Sequence, residues 1–176
     1  MSPSGSPSDR LMGFAEGHFI VTALGFALML IWIQLGIPFS PATVAVLMLL
    51  YVPAGYGVSC MKKWSRPDGR TALKALLRPA LVPLAWALAG WILFTSSLPV
   101  LGSLGFWLLM STAFLACPSF CLMLLSLRYL PELDFTLWAP GWYGAIALAA
   151  FLPSLLFFLG SILPKKRLTT AENVIK

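Results

Sequence analysis

The chain alternates between long apolar runs and short polar breaks. No Asp, Glu, Lys or Arg occurs between Gly17 and Met61, between Pro79 and Leu127, or between Phe135 and Pro164, stretches of 45, 49 and 30 residues. A helix rising about 1.5 Å per residue needs about 20 residues to cross a hydrocarbon layer about 30 Å thick. The first two runs are each long enough for two crossings and the third for one. Pro, Gly and Ser punctuate both long runs, at Gly36-Ile37-Pro38-Phe39-Ser40-Pro41 and at Ser96-Ser97-Leu98-Pro99, which is the chemistry of tight turns. The pattern predicts an all-α integral membrane bundle of five transmembrane helices near 14–35, 41–61, 79–97, 104–127 and 141–163. Four and six are the alternatives. Closed β-barrels, the other spanning solution, require short alternating segments that are absent. Residues 1–12 read as a disordered Ser/Pro-rich N-terminus, 13–164 as one transmembrane domain, and 165–176 as a polar basic tail.

Composition agrees with the pattern. Of 176 residues, 59% are hydrophobic and 10% charged, whereas a soluble domain carries about 25% charged residues. The net charge of +6 is unevenly placed. The connection 62–78 holds Lys62, Lys63, Arg66, Arg70, Lys74 and Arg78 against Asp68 alone. The positive-inside rule puts this loop in the cytoplasm of a cell, across a plasma or inner membrane. With five crossings the C-terminus then lies outside, yet Lys165-Lys166-Arg167 belongs by the same rule on the inside. One segment that fails to span would remove the conflict, and the second span, interrupted by Pro53, Gly55 and Gly57, is the first suspect.

Residues 70–78 place Arg70, Lys74 and Arg78 on one helical stripe with Leu73, Leu76 and Leu77 roughly opposite. This predicts a short basic amphipathic helix at the cytoplasmic surface, suited to anionic lipid headgroups or to a partner. The six basic residues are therefore the expected docking set. Nucleic acid is not expected as a partner, because headgroups account for the basic charge.

Chemistry is sparse. His18 is the only histidine, which excludes bis-imidazole haem ligation and a His-rich metal site. Asp68-Gly69-Arg70-Thr71-Ala72 echoes the opening of the CDP-alcohol phosphotransferase motif. The Arg expected next is Leu73, and the further carboxylates that would hold metal are missing, so the segment reads as a turn. Cys117 and Cys121 stand four residues apart, too few thiols for a closed zinc site, and read as buried small hydrophobes. No cofactor is expected and no catalytic residue is assigned. A lipid-directed enzyme would need Glu16, His18, Glu132 and Asp134 to converge at the headgroup level.

Two further sets carry expectations. Gln34, with Pro53, Gly55, Tyr56 and Gly57 in a Pro/Gly-broken span, forms the candidate solute path. Gly13 with Gly17, Ala85 with Ala89, and Gly141 with Ala145 and Ala149 have the four-residue spacing of small residues that lets membrane helices pack closely. Most of these faces are expected to pack inside the bundle. The sequence points first to a membrane-embedded subunit of a transport or export assembly, bound to another membrane or cytoplasmic subunit. A small stand-alone transporter or channel is the second reading, and a lipid enzyme the third.

Overall fold

The computed structural model describes residues 6–65, 67–129 and 140–164, and these form an all-helical bundle. The described helices are α1 (Pro7–Gln34), α2 (Pro41–Leu49), α3 (Tyr51–Met61), α4 (Gly69–Phe94), α5 (Pro99–Leu115), α6 (Cys117–Tyr129) and α7 (Pro140–Ile162). Four segments are long and apolar enough to cross a membrane: α1, the tandem Pro41–Met61, α4 and α7. The chain is thus built as a multi-pass membrane bundle. The fifth expected crossing, near 104–127, is instead divided between α5, of 17 residues, and α6, of 13.

Local chemistry explains the boundaries. Ser6 caps α1 reciprocally with Asp9, and Pro7 occupies the first turn, where its missing N–H costs nothing. Ser40 and Thr43 repeat the device at α2, with Pro41 inside. Gly36, at φ +65°, closes the turn after α1. Proline sets both interruptions. Pro53 cannot donate to the carbonyl of Leu49, and helix α2 gives way to α3 at Leu50. Pro118 cannot donate to Phe114, and the backbone leaves the helical region at Ala116, with φ −152° and ψ 61°. The amphipathic stretch 70–78 is no separate helix but the opening turns of α4, which continues through Pro79 and Pro83.

Contacts along the helices fix their directions. Helix α5 runs back along α4: Gly105 packs on Phe94 and Gly90, and the Trp86 indole Nε1–H donates to the Leu108 carbonyl at 3.1 Å. Leu115 then reaches His18, well inside α1. Helix α6 returns: Pro118 packs near Gly25, the Cys121 Sγ lies 3.9 Å from the Met29 Sδ, and Met123 joins the cluster of Trp91 and Trp142. The pair is a hairpin that enters the bundle from one end, turns at Ala116, and leaves by the same end. Helix α7 starts beside Trp91, whose ring stacks on Trp142 at 4.7 Å, and finishes at Ser161, beside Arg10, Trp64 and Ala75. Its last turn therefore sits at the end of the bundle that carries the basic connection.

The tightest packing joins α3 to α7. A Cβ on Gly55 would overlap the backbone carbonyl of Phe157, and one on Gly160 would overlap that of Val52. Each helix gives up a side chain where the other's backbone crosses, which is how membrane helices gain dispersion energy without a hydrophobic driving force. Gly13 makes room for the Trp64 ring, and Gly17 for Phe157. Replacing Gly55 by Ala should lower the melting temperature in detergent sharply, because backbone cannot give way and overpacking costs about 1–3 kcal/mol or more. Gly57, whose added Cβ meets nothing within 4 Å, should accept Ala with little change. Equal effects at the two positions would contradict this crossing.

Candidate functional site

The two proline-made interruptions meet at His18. The sequence reading placed His18 at the headgroup level, but α1 begins at Pro7, so the imidazole lies well inside the helix. Its Nε2 is 2.9 Å from the Leu115 carbonyl, and its Nδ1 is 2.7 Å from the hydroxyl of Tyr51, a fully buried residue. A carbonyl can only accept, so Nε2 carries the proton and Nδ1 accepts from the tyrosine. Both ring nitrogens are thereby satisfied by a neutral histidine. Phe14 stacks on the imidazole at 5.4 Å and lies parallel to Tyr51, closing the apolar side of the pair.

The reason for this arrangement is backbone accounting. The break at Ala116 leaves the Leu115 carbonyl without its helical donor, and an unsatisfied peptide group within hydrocarbon costs several kcal/mol. His18 supplies the missing donor. A second freed carbonyl is treated alike. Pro153, inside α7, cannot donate to Ala149, and the Ser119 hydroxyl from α6 donates to that carbonyl at 2.8 Å.

Beside this junction lies a cavity of about 460 Å³, bounded by α1, α4, the α5–α6 turn and α7. Leu11, Ala15 and His18 line it from α1, Pro79, Val82 and Trp86 from α4. Val82 and Ala15 are exposed at its side, so the cavity opens laterally between α1 and α4. Its polar lining is already committed. Trp86 donates to Leu108 and to the Ser111 Oγ, Thr112 bonds the Leu109 carbonyl, and Ser119 bonds Ala149.

At the basic end, Arg10 is buried, donates to the Ser65 carbonyl at 2.6 Å, and stands 5.0 Å over the Trp64 ring. Lys62 pairs with Glu16 at 2.7 Å, both partly exposed, a geometry worth about 0–1 kcal/mol. Of the expected docking set, Lys62 is thus engaged within the bundle. Lys63, Arg70, Lys74 and Arg78 are exposed, and Arg66 lies outside the described residues.

The expected solute path takes a different form. Pro53–Gly57 is helical, Pro53 is exposed, Tyr56 and Gly57 are half-buried, and Gly55 is filled by the α7 backbone. Gln34 is exposed at the far end of α1. The structure does not bring these residues to one cavity among those described. Glu16 and His18 point to separate partners, while Glu132 and Asp134 lie outside the described residues. Of the small-residue faces, Gly13, Gly17, Ala145 and Ala149 are buried and Gly141 is half-buried; Ala85 and Ala89 are exposed. Among the described residues, no three His, Cys, Asp or Glu side chains gather, and Cys117 and Cys121 are buried free thiols.

The sequence reading missed the His18–Tyr51–Leu115 junction. Pro118, a ring that interrupts the helical ladder of an apolar run, is the local signal for it. Comparison with protein-family models, curated proteins and solved structures finds no match.

Replacing Ser119 by Ala should destabilise the bundle by about 1 kcal/mol, the scale of a buried hydrogen bond between membrane helices. Adding Pro153→Ala in the same chain should recover part of the loss, because the new N–H can reach the Ala149 carbonyl. Melting in detergent reads both, and a double variant less stable than Ser119→Ala alone would refute the accounting.

Proposed function

We propose that this chain is a non-catalytic, membrane-embedded subunit of a transport or export assembly. The observation that carries the reading is the outward face of α4. Leu81, Ala85, Ala89 and Ile92 form an exposed stripe, small in the middle and large at both ends, and Arg70 and Lys74 stand exposed above it. Small residues four apart let a second helix approach closely. The corresponding glycines of α1 and alanines of α7 are already buried within the bundle, whereas this pair is exposed among the described residues. A basic head and a small-residue body on one helix suit a membrane helix with an acidic juxtamembrane segment. The interior supports a structural role, since His18, Thr112, Ser119 and Ser161 bond backbone carbonyls and the described cavities form no polar passage.

The topology that goes with this reading has four crossings and a re-entrant hairpin, α5–α6, buried against α1, α4 and α7. Irregular backbone at membrane depth is tolerated only when protein covers it, and His18 supplies that cover at Ala116. The chain then leaves α7 on the side of the 62–68 connection. All of its twelve Lys and Arg except Arg128 come to lie on one side, and Lys165-Lys166-Arg167 no longer opposes the positive-inside rule. That side is the cytoplasm.

Two measurements test these statements. Purification in mild detergent should recover a second chain in fixed stoichiometry. Ala85→Leu with Ala89→Leu should release that chain without lowering the melting temperature; a clean monomer from the unaltered protein would sink the subunit reading. Reporters inserted at Lys63 and fused after Lys176 should show the same sidedness in cells, and opposite sidedness would restore a fifth crossing.

A further inference from the structure

The cavity at the α5–α6 turn has a chemistry of its own. Its wall is apolar, and every polar side chain that lines it, His18, Trp86, Thr112 and Ser119, already bonds within the chain. A polar solute entering it would give up its hydration and find no free side chain to replace it, at a cost of about 1–3 kcal/mol for each group. A hydrocarbon chain loses nothing. About 460 Å³ falls within the range of small-ligand sites, about 300–1,000 Å³. The opening is lateral, between Ala15 and Val82, so it faces the bilayer, where acyl chains are the solvent.

Charge selects the rest of the molecule. Val82 and Trp86 line the cavity and belong to an i, i+4 row of α4 that begins, one turn nearer the basic end, with Arg78. Arg78 is exposed, and Lys74 precedes it by a further turn. Among the described residues neither takes part in an ion pair. Of the two carboxylates on α1, Glu16 is committed to Lys62 and Asp9 to the Ser6 cap. The entrance is therefore a basic rim above an apolar slot.

We propose that this cavity is a specific site for one anionic phospholipid. One acyl chain lies along Ala15, Val82 and Trp86 toward Ala116, and the phosphate meets the Arg78 guanidinium, with Lys74 close behind. Guanidinium and phosphate pair through charge-assisted hydrogen bonds. The acyl chain gains little from leaving lipid for protein, so the headgroup contact supplies most of the selectivity and the slot supplies the stoichiometry. The bound chain also fills the space beside the hairpin turn and supports the His18–Leu115 bond from the lipid side. This site goes beyond the subunit reading; the two share Lys74, so the variants that test it change Arg78 and Ala15 and leave Ala85 and Ala89 intact.

The test uses the full chain, delipidated in mild detergent and titrated separately with phosphatidylglycerol and phosphatidylcholine of matched acyl chains. Native mass spectrometry reads stoichiometry, and thermal melting reads affinity. One phosphatidylglycerol per chain is expected, bound several-fold more tightly than phosphatidylcholine. Arg78→Gln should weaken phosphatidylglycerol about fivefold, the effect of one basic residue at an anionic surface, and weaken phosphatidylcholine, whose choline cation offsets its phosphate, by less, while Arg78→Lys keeps most of the preference. Ala15→Phe, a substitution at an exposed position, should occlude the slot and lower binding of both lipids without changing the lipid-free melting temperature. Equal affinity for the two lipids, no one-to-one complex, or full binding by Ala15→Phe would each overturn the proposal. A slot filled by another part of this chain would show as no lipid uptake and would overturn it equally. Loss of a protein partner in the Ala85/Ala89 variant has no bearing on any of these readouts.

Discussion

The hydrogen bond from the His18 Nε2–H to the Leu115 carbonyl is the contact on which the rest of the architecture depends. Hydrocarbon offers no substitute for a missing backbone partner, so a chain that turns at membrane depth must bring its own donor. Once His18 does so, α5 can stop at Leu115, α6 can return, and α7 can start from the end of the bundle that α4 has reached. Its last turn then arrives beside Arg10 and Trp64. Tyr51 completes the arrangement by donating to Nδ1, which holds the imidazole in one tautomer and ties the α2–α3 interruption to the α5–α6 turn.

Proline acts repeatedly as the agent that frees carbonyls, and two of the freed groups receive a side-chain donor from another helix. The break at Ala116, beside Pro118, exposes Leu115, which His18 answers. Pro153 exposes Ala149, which Ser119 answers. Glycine acts in the complementary sense by removing volume. Gly55 and Gly160 let α3 and α7 cross at backbone contact, and Gly13 admits the Trp64 ring under which Arg10 is anchored. The result is an interior that is close-packed where α3 crosses α7 and where Gly13 meets Trp64, with an apolar slot left beside the hairpin turn.

Much of the fold was readable from the residues. Charge-free runs divided by Pro/Gly/Ser breaks located α1, the Pro41–Met61 segment, α4 and α7, and the small-residue spacing located two of the close-packed faces. The candidate site was less legible. His18 is a single polar residue in an apolar helix, and its meaning depends on a carbonyl 97 positions away. The Pro53–Gly57 segment looked like an opening because glycine is permissive, but tertiary packing filled Gly55 with the α7 backbone. Ala85 and Ala89 could not be told apart from the other small pairs, since identical spacing serves packing inside a bundle and packing between bundles.

The sequence by itself determined the solvent of this protein, its helical class and the end of the molecule that carries the charge. Those follow from composition and run length, because a stretch without ionisable groups can be solvated only by hydrocarbon and must close its own backbone hydrogen bonds as a helix. The tertiary structure alone decided which apolar run turns back. Length permitted a continuous span near 104–127, but the helix breaks beside Pro118, and only the bundle could bring His18 to the carbonyl that the break exposed. The direction of α7 and the slot beside the turn both follow from that pairing, which joins residues too distant in the chain for any local pattern to reveal.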